Sequence, residues 1–178
     1  GPSSSGEFID EGAAIGFRRL SIIDLEGGDQ PIFNEDKSKL ITFNGEIYNF
    51  RELREDLIAK GHDFTTHADT EVLLHGYEEY GVELLQKLRG MFAFVIWDRE
   101  KQELFGARDH FGIKPLYYTQ MGGTFMYGSE IKSFLKHPNF KKELNKGEKK
   151  HADFMDGDRH IFCRNGSRAW NGLCRYVC

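Results

Sequence analysis

The sequence predicts a layered α+β protein, and three observations carry that reading. "MFAFVIWD", Met91 to Asp98, is an almost unbroken apolar run, as in a strand covered on both faces. "NFRELREDLIAKG" and "HADTEVLLHGYEEYG" instead repeat their apolar residues at helical spacing. Turn-forming stretches such as "EGGDQP", "DREK" and Gly122-Gly123 separate the runs. Strands of this kind beside amphipathic helices pack as layers around one core.

Taken in order, the opening "GPSSSGEF" is small and polar and reads as a loop. "AAIGFRRLSIID", Ala13 to Asp24, reads as a strand, and "KLITF" as a short buried one. An Asn44-Gly45 pair and a buried-looking acid, Glu46, lead from it into a helix. Asn49 is the candidate cap there, with Glu52 three residues on and Leu53, Leu57 and Ile58 as its apolar stripe. The next helix begins at Asp69, turns Val72, Leu73 and Tyr77 inward and leaves at Gly81. "VELLQKLRG" adds a short third helix. After the "MFAFVIWD" strand come "QELFGARD" and a hairpin of "PLYYTQM" with "TFMYGSE". "SEIKSFLKH" closes as a helix capped by Ser129 and stopped before Pro138.

The composition narrows the class. A chain of 178 residues, 39% hydrophobic and 13% aromatic with 15 Phe, can bury a real core as one globular domain. No apolar run approaches the roughly 18 residues of a membrane span, and no signal-peptide pattern opens the chain. A formal net charge of −4 argues against a general nucleic-acid binder. Cys163, Cys174 and Cys178 all fall near the end, so the body is no disulfide scaffold and a cytoplasmic home is expected. From Gly147 onward the periodicity stops and basic residues outnumber acidic ones. We therefore divide the chain into 1–146 and an unassigned tail, 147–178, which reads as a different piece of chain.

"RRLSIID", "FNGEIYN", "ADTEVLL", "LRGMFAFVIWD", "GARDHFGIKPLYY" and "GSEIKSF" stand in order at ordinary loop spacings. Together they closely resemble the class II glutamine amidotransferase domain of glutamine-hydrolysing asparagine synthetases, over roughly Gly1 to Leu144. The resemblance implies the four-layer αββα sandwich of N-terminal-nucleophile hydrolases. It also implies a chemistry in which a cysteine at the mature N-terminus attacks the side-chain amide of glutamine. The cysteine's own α-amino group, with a pKa of about 8, serves as base. The family pattern assigns the oxyanion hole to the Asn44 side-chain amide and the Gly45 backbone N–H. A glycine suits that place by letting the backbone approach the substrate. Arg19 matches the ligand of the glutamine α-carboxylate and Asp69 that of its α-ammonium, with Glu46 beside it. Leu20, Ser21, Ile22 and Ile23 are expected to line the same pocket. In "GARDHFGIKPLYY", Arg108 and Asp109 are expected to pair or cap near a tight turn at Gly112, and His110 has no assigned role.

Two departures from the family pattern bear on activity. No cysteine occurs in the first 162 residues. "GPSSSGEF" matches a family segment that follows the cysteine-headed strand, so the fold is expected without its first strand or strands. No phosphate-cradling Ser-Gly-Gly-x-Asp-Ser loop is present either, so ATP and Mg belong to a synthetase domain beyond this sequence, and no cofactor or metal is assigned to the chain itself. His160, Cys163, Cys174 and Cys178 could in principle supply zinc ligands, but their spacing is irregular. The expected function is the glutaminase portion of an asparagine synthetase, incompetent alone, with glutamine and the synthetase domain as partners and neither nucleic acid nor membrane. The alternative is a non-catalytic amino-acid-binding or interaction module.

Overall fold

The computed structural model describes residues 4–19, 30–121, 123–138, 140, 160–164 and 174–176. For Ser4, Arg19 and the last two segments it describes the backbone alone. "SSGEFI" forms strand β1 (Ser4–Ile9), where the sequence suggested a loop, and pairs antiparallel with β2 (Ala14–Arg19). The turn between them is made by Asp10. Its carboxylate accepts from the N–H groups of Gly12 and Ala13 at 2.8 and 2.7 Å and from the Trp97 indole at 3.1 Å. Such an acid-centred turn creates a strand without any apolar alternation to announce it.

Among the described residues, six strands form the main sheet. β4 (Lys39–Ile47), β5 (Gly90–Asp98) and β6 (Glu103–Arg108) make its centre, with short β3 (Ile32–Phe33) on the β4 side. On the β6 side stand β9 (His160–Arg164) and β10 (Cys174–Tyr176), both from the tail. A separate hairpin joins β7 (Tyr117–Met121) to β8 (Thr124–Gly128), as expected.

The period-two alternation of β4, β5 and β6 divides the core into two halves. Ile41, Phe43, Phe94, Ile96 and Phe105 face α1 (Phe50–Ala59) and α2 (Asp69–Tyr80), meeting Leu53, Leu57, Val72, Leu73 and Tyr77. Leu40, Val95, Trp97 and Leu104 face the other way, toward Ile15 of β2 and Leu116, Tyr118 and Phe125 of the β7–β8 region. The described residues thus stack as helices, main sheet and small hairpins. Each fully buried Leu or Ile contributes about 1.5–3 kcal/mol relative to exposure, so the double coverage of β5 accounts for its unbroken apolar run.

Several local expectations change. Ile58 is exposed and leaves the α1 stripe to Leu53 and Leu57. Asn49 does not cap α1: its side chain donates to the Lys87 carbonyl and accepts from the Arg89 N–H, both at 2.9 Å. That bridge ties the start of α1 to the segment after α3 (Leu84–Lys87). α2 leaves through Gly81 at φ 56°, where a left-handed conformation suits glycine. "SEIKSFLKH" yields only a 3₁₀ turn at Ile131–Phe134, with no side-chain cap from Ser129. Its single fully buried residue, Phe134, gives a longer helix little to pack with.

Candidate functional site

The Asn44-Gly45 pair is not a turn. β4 runs straight through it to Ile47, with Asn44 opposite Ala93 and Gly45 opposite Phe92. Gly45 sits at φ 155°, and a Cβ there would collide with the Met91 carbonyl oxygen and lie 2.7 Å from Phe92 Cα. Its glycine is therefore required first by the neighbouring strand, whatever approaches from outside. Sequence reasoning placed that requirement on the substrate side because a cross-strand collision leaves no signature in the β4 sequence.

The hydrogen-bond ladder fixes which way the Gly45 N–H points. In an antiparallel pair, residues opposite each other direct their backbone groups either toward or away from one another. Phe92 directs both of its groups to Asp109: its N–H donates to Oδ2 at 3.2 Å and its carbonyl accepts from the Asp109 N–H at 2.7 Å. Gly45, its opposite, therefore faces away from β5. The neighbours two residues either side agree. The Phe43 N–H donates outward to Gln30 Oε1 at 2.6 Å, and the Ile47 N–H donates outward to Asp69 Oδ2 at 3.0 Å. Since β3 pairs only with Leu40 and Ile41, the edge at Gly45 is uncovered by any described strand. The Gly45 N–H thus lies between two partnered donors, on an edge shaped by Gln30 and Asp69.

Asn44 and Glu46 alternate with it and are exposed, so the buried acid that the sequence suggested at 46 is an exposed one. Asn44 borders an open cleft of about 1610 Å³, together with Thr42, Ala93, Arg18 of β2 and Tyr127 of β8. Thr42 and Tyr127 approach across it with their hydroxyls 3.5 Å apart. Burial pushes the Tyr127 phenol up to about 12, so it stays a neutral donor at physiological pH. The sequence reading passed over both residues, although Thr42 shares the period-two face of Asn44.

Asp69 is half-buried at the start of α2, with Ala68 in the N-cap position. Burial raises its carboxyl above the ordinary range, and the Glu46 charge adds to the rise, against hydrogen bonds from Ile47 and Thr70. A cation arriving there would relieve that unfavourable charge. The structure therefore brings Asn44, Gly45, Glu46 and Asp69 to one corner of the main sheet. Arg19 ends β2, with its side chain outside the described residues, and Leu20, Ser21, Ile22 and Ile23 lie outside them altogether.

Behind this corner stands Asp109, whose carboxylate accepts from the N–H groups of Phe92, Phe111, Ile113 and Lys114 at 2.9–3.2 Å. Burial works against its charge, but these donors together hold the carboxyl below its ordinary value. The loop turns at Gly112, φ 64°, where a Cβ would lie 2.8 Å from the Arg108 guanidinium. The expected tight turn is present, with Asp109 as its cap and Arg108 against its glycine.

Comparison with known proteins places this geometry in context. The chain is 57% identical over 135 residues to asparagine synthetase [glutamine-hydrolyzing] 1 of Bacillus subtilis, covering 76% of this chain and 21% of that protein. Against asparagine synthetase 2 of rice the identity is 46%, covering 75% and 22%. The chain thus spans about a fifth of the length of these relatives. Among solved structures it resembles the glutamine phosphoribosylpyrophosphate amidotransferase of B. subtilis, with TM-score 0.60 and 24% identity over 75% of this chain and 37% of that one. A second, described as the allosteric regulatory enzyme of purine biosynthesis, gives TM-score 0.58 and 29% identity over 68% and 28%. Residues 1–160 match the glutamine amidotransferase domain family, and the chain belongs to that family.

Proposed function

We propose that this chain is the glutaminase portion of an asparagine synthetase and that its glutamine site is the Gly45 edge of β4. The observation that carries the reading is the direction of the Gly45 N–H, outward between the Gln30-bound Phe43 and the Asp69-bound Ile47. An amide carbonyl seated there meets this backbone donor from the sheet edge and the Asn44 side-chain amide from the cleft face. Attack at the carbonyl carbon moves negative charge onto its oxygen, where the two donors stabilise it. Losing one such donor typically costs about 3–4 kcal/mol in the transition state. Asp69, with Glu46 beside it, receives the α-ammonium, and Arg19 the α-carboxylate through its guanidinium fork. Leu20, Ser21, Ile22 and Ile23 complete the wall.

The nucleophile of this scheme is a cysteine thiolate, and residues 1–162 contain no cysteine. The 178-residue chain by itself is therefore proposed to be inactive. Ammonia released in the complete protein would pass to a synthetase domain that binds ATP and Mg and converts aspartate to asparagine. We further propose that the amidotransferase domain ends near residue 146 and belongs to the four-layer αββα sandwich type. The tail strands β9 and β10 would then extend its sheet from outside the family fold.

The test is a glutaminase assay on the chain alone and on the chain preceded in frame by a cysteine-headed strand. The proposal expects glutamate release only from the extended protein, with Asn44→Ala lowering its kcat about a hundredfold or more. Release by the unextended chain, or an unchanged kcat in Asn44→Ala, would contradict it.

A further inference from the structure

About 9 Å along α2 from Asp69, by the rise of an α-helix, two histidines and a glutamate converge. His75 and Glu78 are one turn apart on α2, and His62 reaches them from the loop after α1. Ligand atoms of the three lie within 4.8 Å of one another. Glu78 Oε2 is the focus, 2.9 Å from His75 Nδ1 and 4.0 Å from His62 Nδ1.

The outward nitrogens are the second observation. His62 Nε2 stands 3.2 Å from Glu79 Oε2, and His75 Nε2 stands 3.7 Å from Glu71 Oε1 and 3.8 Å from Glu35 Oε1. Both rings turn Nδ1 toward Glu78, and His62 sets its outer Nε2 at hydrogen-bond distance from Glu79, while His75 Nε2 faces two carboxylates just beyond that distance. An outer carboxylate bonded to a metal-binding histidine, as Glu79 is to His62, fixes the tautomer and strengthens the inner donor. Glu71 is itself held rigid, accepting from the backbone and hydroxyl groups of Thr65 and Thr66 at 2.6–2.9 Å. Glu78 Oε1 is fixed by the Asn34 amide at 2.7 Å, leaving Oε2 for the cluster.

We propose that His62, His75 and Glu78 bind one divalent transition-metal ion of the zinc class, with water completing the shell. Two imidazoles and a carboxylate match the ligand preferences of such an ion, and bond lengths of about 2.0–2.2 Å require only small ring movements. The carboxylates of Glu35, Glu71, Glu78 and Glu79 surround the two imidazoles, with Lys39 3.6 Å from Glu78, and leave the cluster electronegative. The bound ion would pin the α1–α2 loop to α2, and so steady the segment that leads into Asp69.

The test is zinc titration calorimetry on the full chain carrying Cys163→Ser, Cys174→Ser and Cys178→Ser, which removes competing thiols. One saturable ion per chain is expected, with affinity reduced at least tenfold in both His62→Gln and Glu78→Gln. X-ray absorption at the zinc edge of the same Cys-to-Ser protein reads the ligands without any variant at the cluster, and imidazole nitrogens near 2.0 Å are expected. Absence of saturable binding, equal affinity in both variants, or a shell without imidazole would overturn the assignment.

Discussion

Replacing Asp109 with alanine removes one carboxylate and strands four backbone donors. Each charge-assisted hydrogen bond contributes about 1.5–3 kcal/mol, but these four share one acceptor group and do not add fully. The Phe92 N–H is buried, so its lost partner cannot be replaced by water, while those of Phe111, Ile113 and Lys114 are only part-buried. We expect Asp109→Ala to destabilise the fold by about 3–5 kcal/mol, a large share of a domain's stability. With a urea m-value of about 2 kcal/mol/M, the unfolding midpoint should fall by about 1.5–2.5 M. The pH dependence supplies a second reading. A carboxyl held below its ordinary value stabilises the fold above that value and loses the contribution as pH falls through its folded-state pKa. The gap between parent and Asp109→Ala should therefore narrow in acid. A midpoint shift below about 0.3 M, on the same m-value scale, would refute the assignment of Asp109 as the clamp on Phe92, and with it the argument that turns Gly45 outward.

Gly45→Ala should lower the melting temperature by about 5–15 °C, because the new Cβ meets backbone of β5 that cannot swing aside. A thermal melt matching the parent would show that β4 and β5 can separate there. For His75, burial depresses the pKa, but the carboxylates of Glu78, Glu35 and Glu71 outweigh it and leave it raised. Its stabilising contribution should be complete below the ordinary value of 6.5 and fade as pH rises through the folded-state pKa. In EDTA, urea curves of the parent and His75→Gln should converge toward alkaline pH. A gap that widens with pH would contradict that sign.

The central strands and α2 were legible because their burial is written in the sequence as period two, continuous apolar runs and period 3.6. Val72, Leu73 and Tyr77 point inward for that reason. β1 was not legible, since its pairing depends on the Asp10 turn and on β2 rather than on its own side chains. Nor was the role of Asn49, whose polar groups are used by Lys87 and Arg89, 38 and 40 residues away. At the proposed site, motif order singled out Asn44, Gly45 and Asp69, whereas the reason for the glycine required the position of Met91 on the adjacent strand. The His62–His75–Glu78 cluster joins a loop to a helix face, and its contact across 13 residues lies outside any local ligand spacing.

The most direct test of the proposed glutamine site is an amide-resolved NMR titration of the 178-residue chain with L-glutamine. Binding of the free amino acid does not require the nucleophile, so the chain can be used as it is. The account predicts saturable shifts at Gly45, Asn44, Glu46, Arg19 and Asp69, with Gly45 among the largest, and loss of those shifts in Asp69→Ala. Saturable shifts clustered elsewhere, or none at Gly45 and Asp69 up to the solubility limit of glutamine, would contradict it.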